Sequence, residues 1–78
     1  MKLTFDTAAN AAYMQLCERT GDLETVCVTE ELNVDLLPDG TVYGIEFLNA
    51  TQQLRGVEAG RFTLVSVVDG EERTLKVA

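Results

Sequence analysis

Two carboxylate residues, Asp35 and Glu46, are the clearest candidates for chemistry in this sequence. Both stand in segments where apolar and polar residues alternate, and both fall on the polar side. Asn33 falls on the same side, and Gly44 leaves a gap there because it has no side chain. Two carboxylates beside a gap can bind a cation or work as an acid and a base. The other interpretation is a solvated outer face, with Gly44 marking a bulge or the close approach of another backbone. We favour the second interpretation, because a catalytic pair needs burial and shifted pKa values.

Two cysteines, Cys17 and Cys27, flank a turn at Gly21 and are expected on adjacent strands. Some registers of those strands would bring the two thiols within disulfide reach. The spacing lacks the Cys-x-x-Cys pattern of redox motifs, and the N-terminus does not resemble a secretory signal. We therefore expect a cytoplasmic protein in which both thiols are reduced and unreactive.

Other catalytic and ligand-binding patterns do not occur in the sequence. The chain contains no His, so the commonest general base is missing, and two cysteines alone cannot complete a four-ligand zinc site. There is no Ser-His-Asp set, no phosphate-binding loop and no glycine-rich dinucleotide motif. The sequence accordingly predicts no cofactor and no metal.

The chain is acidic, with a formal net charge of −7 and a pI of about 4.3. Its six basic residues are scattered: Lys2, Arg19, Arg55, Arg61, Arg73 and Lys76. Sustained contact with nucleic-acid phosphates needs clustered cations, so we expect no nucleic-acid binding. An acidic surface favours solubility and also suits a basic protein partner. No apolar run approaches the length of a membrane span, so we expect no membrane partner.

A hairpin predicted around Pro38 and Gly40 positions the two carboxylates. Pro38 fixes φ at the first corner of a tight turn, and Gly40 supplies the positive φ that closes it. A loop of two or four residues sets the apolar residues of both strands on one face. With the two-residue loop Asp39–Gly40, the opposed pairs are Leu36–Tyr43, Val34–Ile45 and Leu32–Phe47. A three-residue loop would turn Ile45 outward, and we reject it on burial although Pro-Asp-Gly often forms such a turn.

The N-terminal segment predicts a second hairpin. An alternation of apolar and polar residues starts at Leu3 and resumes after a four-residue loop. The opposed pairs are then Phe5–Ala12, Leu3–Met14 and Thr4–Tyr13. We assign Asp6 and Asn10 to the turn, because Asp6 can accept backbone N–H groups and Asn10 tolerates the left-handed conformation. The alternative is a helix over Thr7–Leu16, which is rich in helix formers. We prefer the hairpin because its cross-strand faces match.

Three further elements are predicted along the chain. The β-branched segment Thr25–Thr29 indicates a strand, and Glu30–Glu31 is a polar break or a bulge after it. Asn49–Leu54 loses the period of two and indicates a turn or one short helical segment with Asn49 as its cap. In the tail, Asp69-Gly70 is a favoured type I′ turn pair, and it sets Phe62 opposite Val77 and Leu64 opposite Leu75.

Several short segments carry a resemblance to a known family. They are Phe5-Asp6, Ala11-Ala12-Tyr13-Met14-Gln15-Leu16, Val34-Asp35, Asp39-Gly40 and Gly44-Ile45-Glu46-Phe47-Leu48-Asn49-Ala50-Thr51. In these segments the chain resembles the domain of unknown function 2283 family of small bacterial proteins, over about the first two thirds of its length. Asn10 stands where the family favours an acid, and Thr51 where it favours Ser. The family has no assigned activity, so the resemblance supports the fold and leaves the function open.

These observations predict a mainly β fold. We expect a small antiparallel β-meander of hairpins, with a C-terminal β-hairpin and room for one short helical segment near Ala50. We expect one domain over residues 1–78, with a family-like core over 1–51 and a linker plus the C-terminal hairpin over 52–78. A chain of this size buries roughly 60% of its unfolded surface, so its core is thin. Pairing with a second copy would complete that core, and we therefore expect a homodimer.

The function that the sequence favours is a non-catalytic protein-interaction or regulatory module. The evidence for it is the lack of a recognisable set of catalytic residues, together with an acidic surface and a thin core. An antitoxin-like role, in which the chain masks a basic toxin, fits these features by analogy. The alternative is a small hydrolase or metal-dependent enzyme that uses Asp35 and Glu46. A concave, partly buried site for the two carboxylates would favour the enzyme.

Overall fold

The computed structural model describes residues 1–55, 61–66 and 68–76, and in these the chain forms seven strands and one short helix. In chain order they are β1 (Lys2–Asp6), β2 (Ala11–Gln15), β3 (Glu24–Thr29), β4 (Leu32–Leu36), β5 (Val42–Leu48), α1 (Ala50–Gln53), β6 (Arg61–Val65) and β7 (Glu72–Lys76). Strands β1 to β5 form one antiparallel sheet in the order β1-β2-β5-β4-β3, and β6 pairs with β7. The predicted mainly β, antiparallel fold of hairpins with one short helical segment is confirmed, but the strands do not follow one another across the sheet as in a meander, because β2 pairs with β5.

The N-terminal hairpin forms as predicted. Leu3 pairs with Met14, Thr4 with Tyr13 and Phe5 with Ala12. In the loop, Asp6 Oδ1 accepts the N–H groups of Ala8 and Ala9 at 3.0 and 3.1 Å. Asn10 closes the turn with a φ of 51°, in the left-handed region that Asn tolerates. The alternative of a helix over Thr7–Leu16 is wrong, since the matched apolar faces of β1 and β2 outweigh helix propensity.

The central hairpin keeps the predicted register but reaches it through a different loop. Val34 pairs with Ile45 and Leu32 with Phe47, as predicted. The loop, however, has the three residues Pro38–Gly40, because the N–H of Leu37 donates to Thr41 O at 2.8 Å and that of Gly40 to Leu37 O at 2.9 Å. Gly40 takes a φ of 87°, and Asp39 Oδ1 accepts the Thr41 N–H at 2.9 Å. The predicted even loop is therefore wrong, and the turn chemistry of Pro-Asp-Gly prevails.

A bulge in β5 restores the register that the three-residue loop would shift. Asp35 pairs with Gly44 whereas the next residue, Leu36, pairs with Val42, so Tyr43 has no partner in β4. One extra residue in one strand moves the alternation by one position, which cancels the offset of an odd loop. The predicted pair Leu36–Tyr43 is therefore wrong. The bulge also removes Tyr43 from the apolar series, and its ring lies 6.3 Å from that of Tyr13.

The two cysteines are free and lie on well-separated parts of the sheet. Cys17 follows β2, and its Sγ lies 3.8 Å from Val42 O at the start of β5. Cys27 is exposed on β3 and pairs with Asn33 of β4. Because β5 and β4 lie between β2 and β3, the prediction of adjacent strands is wrong. Three strand spacings separate the strands by about 14 Å, whereas a disulfide needs Cα atoms within about 7 Å.

Asn10 connects the first loop to the start of α1. Its backbone O accepts the Ala50 N–H at 2.9 Å, and its Oδ1 accepts the Thr51 N–H at 3.0 Å. Its Nδ2 donates to Asn49 Oδ1 at 3.3 Å and to Thr51 Oγ1 at 3.2 Å. Asn49, the predicted cap, has a φ of 50° and makes no side-chain capping bond. Asn49 is the N-cap residue of α1, as predicted, but the side-chain acceptor for the Thr51 N–H comes from Asn10.

Replacing Asn10 is expected to separate the contribution of its side-chain hydrogen bonds from that of its left-handed backbone. In Asn10→Gly the backbone keeps its positive φ but the side-chain bonds to the helix are lost, so the free energy of unfolding should fall by about 1 kcal/mol. In Asn10→Ala the left-handed backbone costs roughly 1–2 kcal/mol in addition. Urea denaturation of the two variants measures the difference. Equal loss in both variants would contradict the backbone contribution.

The C-terminal hairpin forms in a register two residues away from the predicted one. Phe62 pairs with Leu75 and Leu64 with Arg73, instead of Val77 and Leu75. The N–H of Ser66 donates to Glu71 O at 2.9 Å, and that of Gly70 to Ser66 O at 2.8 Å, which closes a four-residue loop. The predicted two-residue Asp69-Gly70 turn is therefore wrong. Asp69 Oδ1 accepts the Glu71 N–H at 2.8 Å, and this bond lowers the pKa of Asp69.

The register divides the five-stranded sheet into two faces. What we call the apolar face contains the rows Leu3–Met14–Ile45–Val34–Val26 and Phe5–Ala12–Phe47–Leu32, with the pair Leu36–Val42 at one end. What we call the polar face contains the rows Thr4–Tyr13–Glu46–Asn33–Cys27 and Lys2–Gln15–Gly44–Asp35–Thr25. Each row crosses four or five strands, so the apolar residues of the single strands join into one continuous apolar surface, and the polar residues join into another.

Burial in the sheet is shallow. Among the residues described, the fully buried apolar ones are Ala12, Leu37 and Ala50, with exposures of 3%, 7% and 0%. All of β4 is half-buried, whichever face a residue belongs to, and every residue of β3 is exposed. In β4, therefore, the apolar face is no better covered than the polar face.

Candidate functional site

Glu46 lies at the centre of the polar face, on the central strand β5. Tyr13 of β2 pairs with it on one side and Asn33 of β4 on the other. Asn33 Nδ2 donates a hydrogen bond to Glu46 Oε1 at 3.0 Å. The hairpin register alone creates this contact, because directly opposed residues of antiparallel strands have neighbouring side chains.

Asp35 is held by two hydroxyl groups. Tyr13 Oη donates to Asp35 Oδ2 at 2.6 Å, and Thr25 Oγ1 donates to Asp35 Oδ1 at 2.6 Å. Both carboxylate oxygens therefore accept short bonds, as is typical when the acceptor is charged. The two bonds connect β2, β4 and β3, so Asp35 links strands on both sides of its own position.

Gly44 provides the space through which Tyr13 reaches Asp35. A Cβ on Gly44 would meet Tyr13 Oη and would lie 2.5 Å from both Cε2 and Cζ of the ring. The Tyr13 ring therefore lies directly over the Gly44 backbone, and Gly44 is buried beneath it. An aromatic ring that covers a glycine in a neighbouring strand is a known way to support a sheet at such a position. The gap predicted at Gly44 is thus filled by this side chain.

The three predicted site residues form two contacts rather than one cluster. Asn33 and Glu46 bind each other, whereas Asp35 binds Tyr13 and Thr25. Tyr13 joins the two groups, because it pairs with Glu46 in the register and bonds to Asp35. Tyr13 and Thr25 were not among the predicted site residues. The pairing of β3 with β4 brings Thr25 to Asp35, and the strand order β2-β5-β4 brings Tyr13 to it.

Tyr13 has a pKa raised well above its ordinary value of 10.0. Burial of the hydroxyl is the largest cause, followed by the hydrogen bond to Asp35 and the charge of that carboxylate. The charge of Glu46 acts in the same direction. A tyrosinate here would have to face two carboxylates, so the folded protein holds the neutral phenol as a donor.

This raised pKa predicts a loss of stability in alkali. The stabilisation from neutral Tyr13 is complete below pH 10.0, the ordinary pKa, and is lost as the pH rises through the raised pKa of the folded state. Tyr43→Phe leaves Tyr13 as the single tyrosine. Near-ultraviolet absorbance should then show its ionisation only above pH 10.0, together with unfolding. Ionisation at or below that pH in a folded chain would contradict the hydrogen bond from Tyr13 to Asp35.

The described residues contain no group of three or more His, Cys, Asp or Glu side chains that could hold a metal ion. A shallow depression of about 300 Å³ is lined by Met1, Lys2, Gln15, Cys17 and Glu18. Neither Asp35 nor Glu46 lines it. In the part of the chain that the structure describes, no buried side-chain nitrogen or oxygen lacks a hydrogen-bond partner. The polar face is therefore a satisfied network, and its bonds resemble those of a structural support.

Fold and polar network together define a small antiparallel β protein with an acidic sequence and one continuous apolar face. The chain belongs to the family described as protein of unknown function (DUF2283), whose model matches residues 2–50. The match covers the five-stranded sheet and ends at the first residue of α1. No curated protein and no solved structure matches the chain. Within the residues described, no helix is both long enough and apolar enough to span a membrane.

Proposed function

We propose that this protein is a non-catalytic protein-interaction module whose contact surface is the apolar face of the five-stranded sheet. The observation that carries the proposal is that most apolar side chains of that face are only half-buried and Val26 is 41% exposed, although Ala12 is fully buried. In a sheet with one side packed on a core, the apolar residues of each strand are buried and the polar ones exposed. In β4 all five residues are half-buried alike. Apolar faces that are left open in this way are typical of interaction sites.

The polar face supports the same proposal, since its carboxylates are already engaged. Asp35 accepts a bond on each oxygen, and Glu46 accepts one from Asn33. The bonds from Tyr13 and Thr25 fix the orientation of the Asp35 carboxylate and occupy part of its acceptor capacity. A network that ties β2, β3, β4 and β5 together is suited to holding the sheet rigid beneath a contact surface.

An antitoxin-like role, in which the module covers a basic protein, is one form of this function. The net charge of −7 would attract such a partner over a distance, and the apolar face would supply the contact area.

Photo-crosslinking in cells tests the proposal, because β3 offers a matched pair of positions. Val26 is 41% exposed on the apolar face, and the adjacent Cys27 is exposed on the polar face. A photoreactive amino acid at position 26 should give a covalent adduct with a protein, and the same amino acid at position 27 should give little or none. Adducts from position 27 alone, or from neither position, would count against the apolar face as the contact surface.

A further inference from the structure

We propose that the partner on the apolar face is a second copy of this chain, and that two sheets pack face to face into a β-sandwich homodimer. The inference rests on the proposed function and names its partner. It uses the rows Leu3–Met14–Ile45–Val34–Val26 and Phe5–Ala12–Phe47–Leu32 as a self-complementary surface. A two-fold axis through such a surface brings the same residues together from both copies.

The accessible surface of the whole chain is larger than is typical of a monomer of its mass, which leaves area for an interface. Its accessible surface is 5745 Å² for a mass of 8.5 kDa. A folded monomer of that mass exposes roughly 4,700 Å². The surplus of roughly 1,000 Å² exceeds the roughly 800 Å² that each partner buries in an interface of standard size.

The distribution of charge allows two acidic copies to meet on this face. Each copy carries a net charge of −7, and repulsion would oppose any contact between acidic surfaces. By the register, the charged residues of the central strands, Asp35 and Glu46, lie on the polar face. Glu24 at the end of β3 pairs with Leu36 and is the one acidic residue that the register of the described sheet assigns to the apolar face. Face-to-face packing therefore keeps Asp6, Asp35 and Glu46 of the two copies on opposite outer sides, with Glu24 at the margin of the contact.

The open edge at β3 is less suited to pairing than the apolar face. Its register with β4 shifts between Cys27 and Thr29, so a bulge interrupts the strand near its end. Bulges in edge strands twist the edge away and hinder pairing with another strand. An edge-to-edge dimer through either outer strand, β1 or β3, would also leave the apolar face of both copies outside the contact. We therefore assign the contact to the face.

Two lysine variants of β3 test which surface makes the contact. Val26→Lys places a charge on the apolar face, and Cys27→Lys places the same charge one residue away on the polar face. Both variants make the net charge less negative, so weaker repulsion cannot explain a loss of dimer. By light scattering, the wild-type chain and Cys27→Lys should have twice the 8.5 kDa mass of one chain. Val26→Lys should raise the dissociation constant about ten-fold or more. Circular dichroism of each variant verifies that the sheet is formed.

A distance measurement between spin labels, which needs no substitution on the apolar face, supplies the second test. In Cys17→Ser, a spin label on Cys27 reports the separation of the two polar faces. Sheets packed about 10 Å apart, with labels on their outer sides, should give a separation of more than about 20 Å. An edge-to-edge dimer through β3 would bring the labels within about 15 Å.

The outcomes separate this inference from the function on which it rests. A dimer that Val26→Lys disrupts and that keeps the labels far apart supports the face-to-face homodimer. A dimer with close labels, or one that Cys27→Lys disrupts equally, overturns it in favour of the edge. A monomeric wild-type chain at high micromolar concentration also overturns it. In that case, photo-crosslinking from position 26 to a different protein would still support the interaction module. The lack of any adduct would contradict both proposals.

Discussion

Gly44→Ala is expected to lower the free energy of unfolding by about 3 kcal/mol, through overpacking and the loss of a charge-assisted hydrogen bond. The added Cβ would lie 2.5 Å from two ring carbons of Tyr13, well inside van der Waals contact. The backbone of β5 is held between β2 and β4, so the ring has to move instead. Moving the ring breaks the 2.6 Å bond from Tyr13 Oη to Asp35 Oδ2. Chemical denaturation of the variant measures the loss.

A double-mutant cycle isolates the cause of that loss. In a Tyr13→Ala background the space over Gly44 is open, so Gly44→Ala should cost much less than in the wild-type chain. The remaining cost should be a few tenths of a kcal/mol or a small gain, because alanine reduces the entropy of the unfolded chain. An equal cost in both backgrounds would show that the strain lies in the backbone and that the Tyr13 ring is not involved.

Ile45→Ala is expected to cost about 2 kcal/mol, near the lower end of the range for truncating a core isoleucine. Ile45 lies on the central strand between Met14 and Val34, but it is only half-buried in one copy. In the proposed homodimer it is covered from the second copy as well. The loss should therefore grow with protein concentration, because the wild-type chain gains stability by association.

The neighbouring residue on the same strand provides the control for Ile45→Ala. Glu46→Ala removes a side chain of similar burial from the polar face, together with its bond from Asn33. It should cost about 1 kcal/mol at every protein concentration. Thermal unfolding over a hundred-fold concentration range compares the two. An unchanged melting temperature in Ile45→Ala would show that the apolar face contributes little to stability.

The pairing of strands within each hairpin could be predicted because it depends on local alternation. The pairs Leu3–Met14 and Val34–Ile45 both follow from the rule that residues two apart share a face. The length of the loop at Pro38–Gly40 was predicted wrongly, because only strands without bulges require an even loop for this pairing. An odd loop followed by a bulge at Tyr43 gives the same pairing as an even loop. Alternation alone does not distinguish the two solutions.

In the candidate site, too, a contact within one hairpin could be predicted and a contact between hairpins could not. Asn33 and Glu46 are opposed within one hairpin, so their contact follows from its register. The bond from Tyr13 to Asp35 depends on the pairing of β2 with β5, which are 26 residues or more apart in the chain. No local pattern specifies that pairing. Gly44 was the one usable signal, since a glycine in a central strand indicates a close approach by another group.

The central claim is that the apolar face of one copy packs against that of another. Isotope-filtered nuclear Overhauser spectra of a mixture of labelled and unlabelled chains test it most directly, because they record only contacts between copies. The account predicts such contacts among the side chains of Val34, Ile45 and Phe47. A spectrum without contacts between copies, or with contacts confined to Thr25 and Cys27 on the polar face, would contradict it.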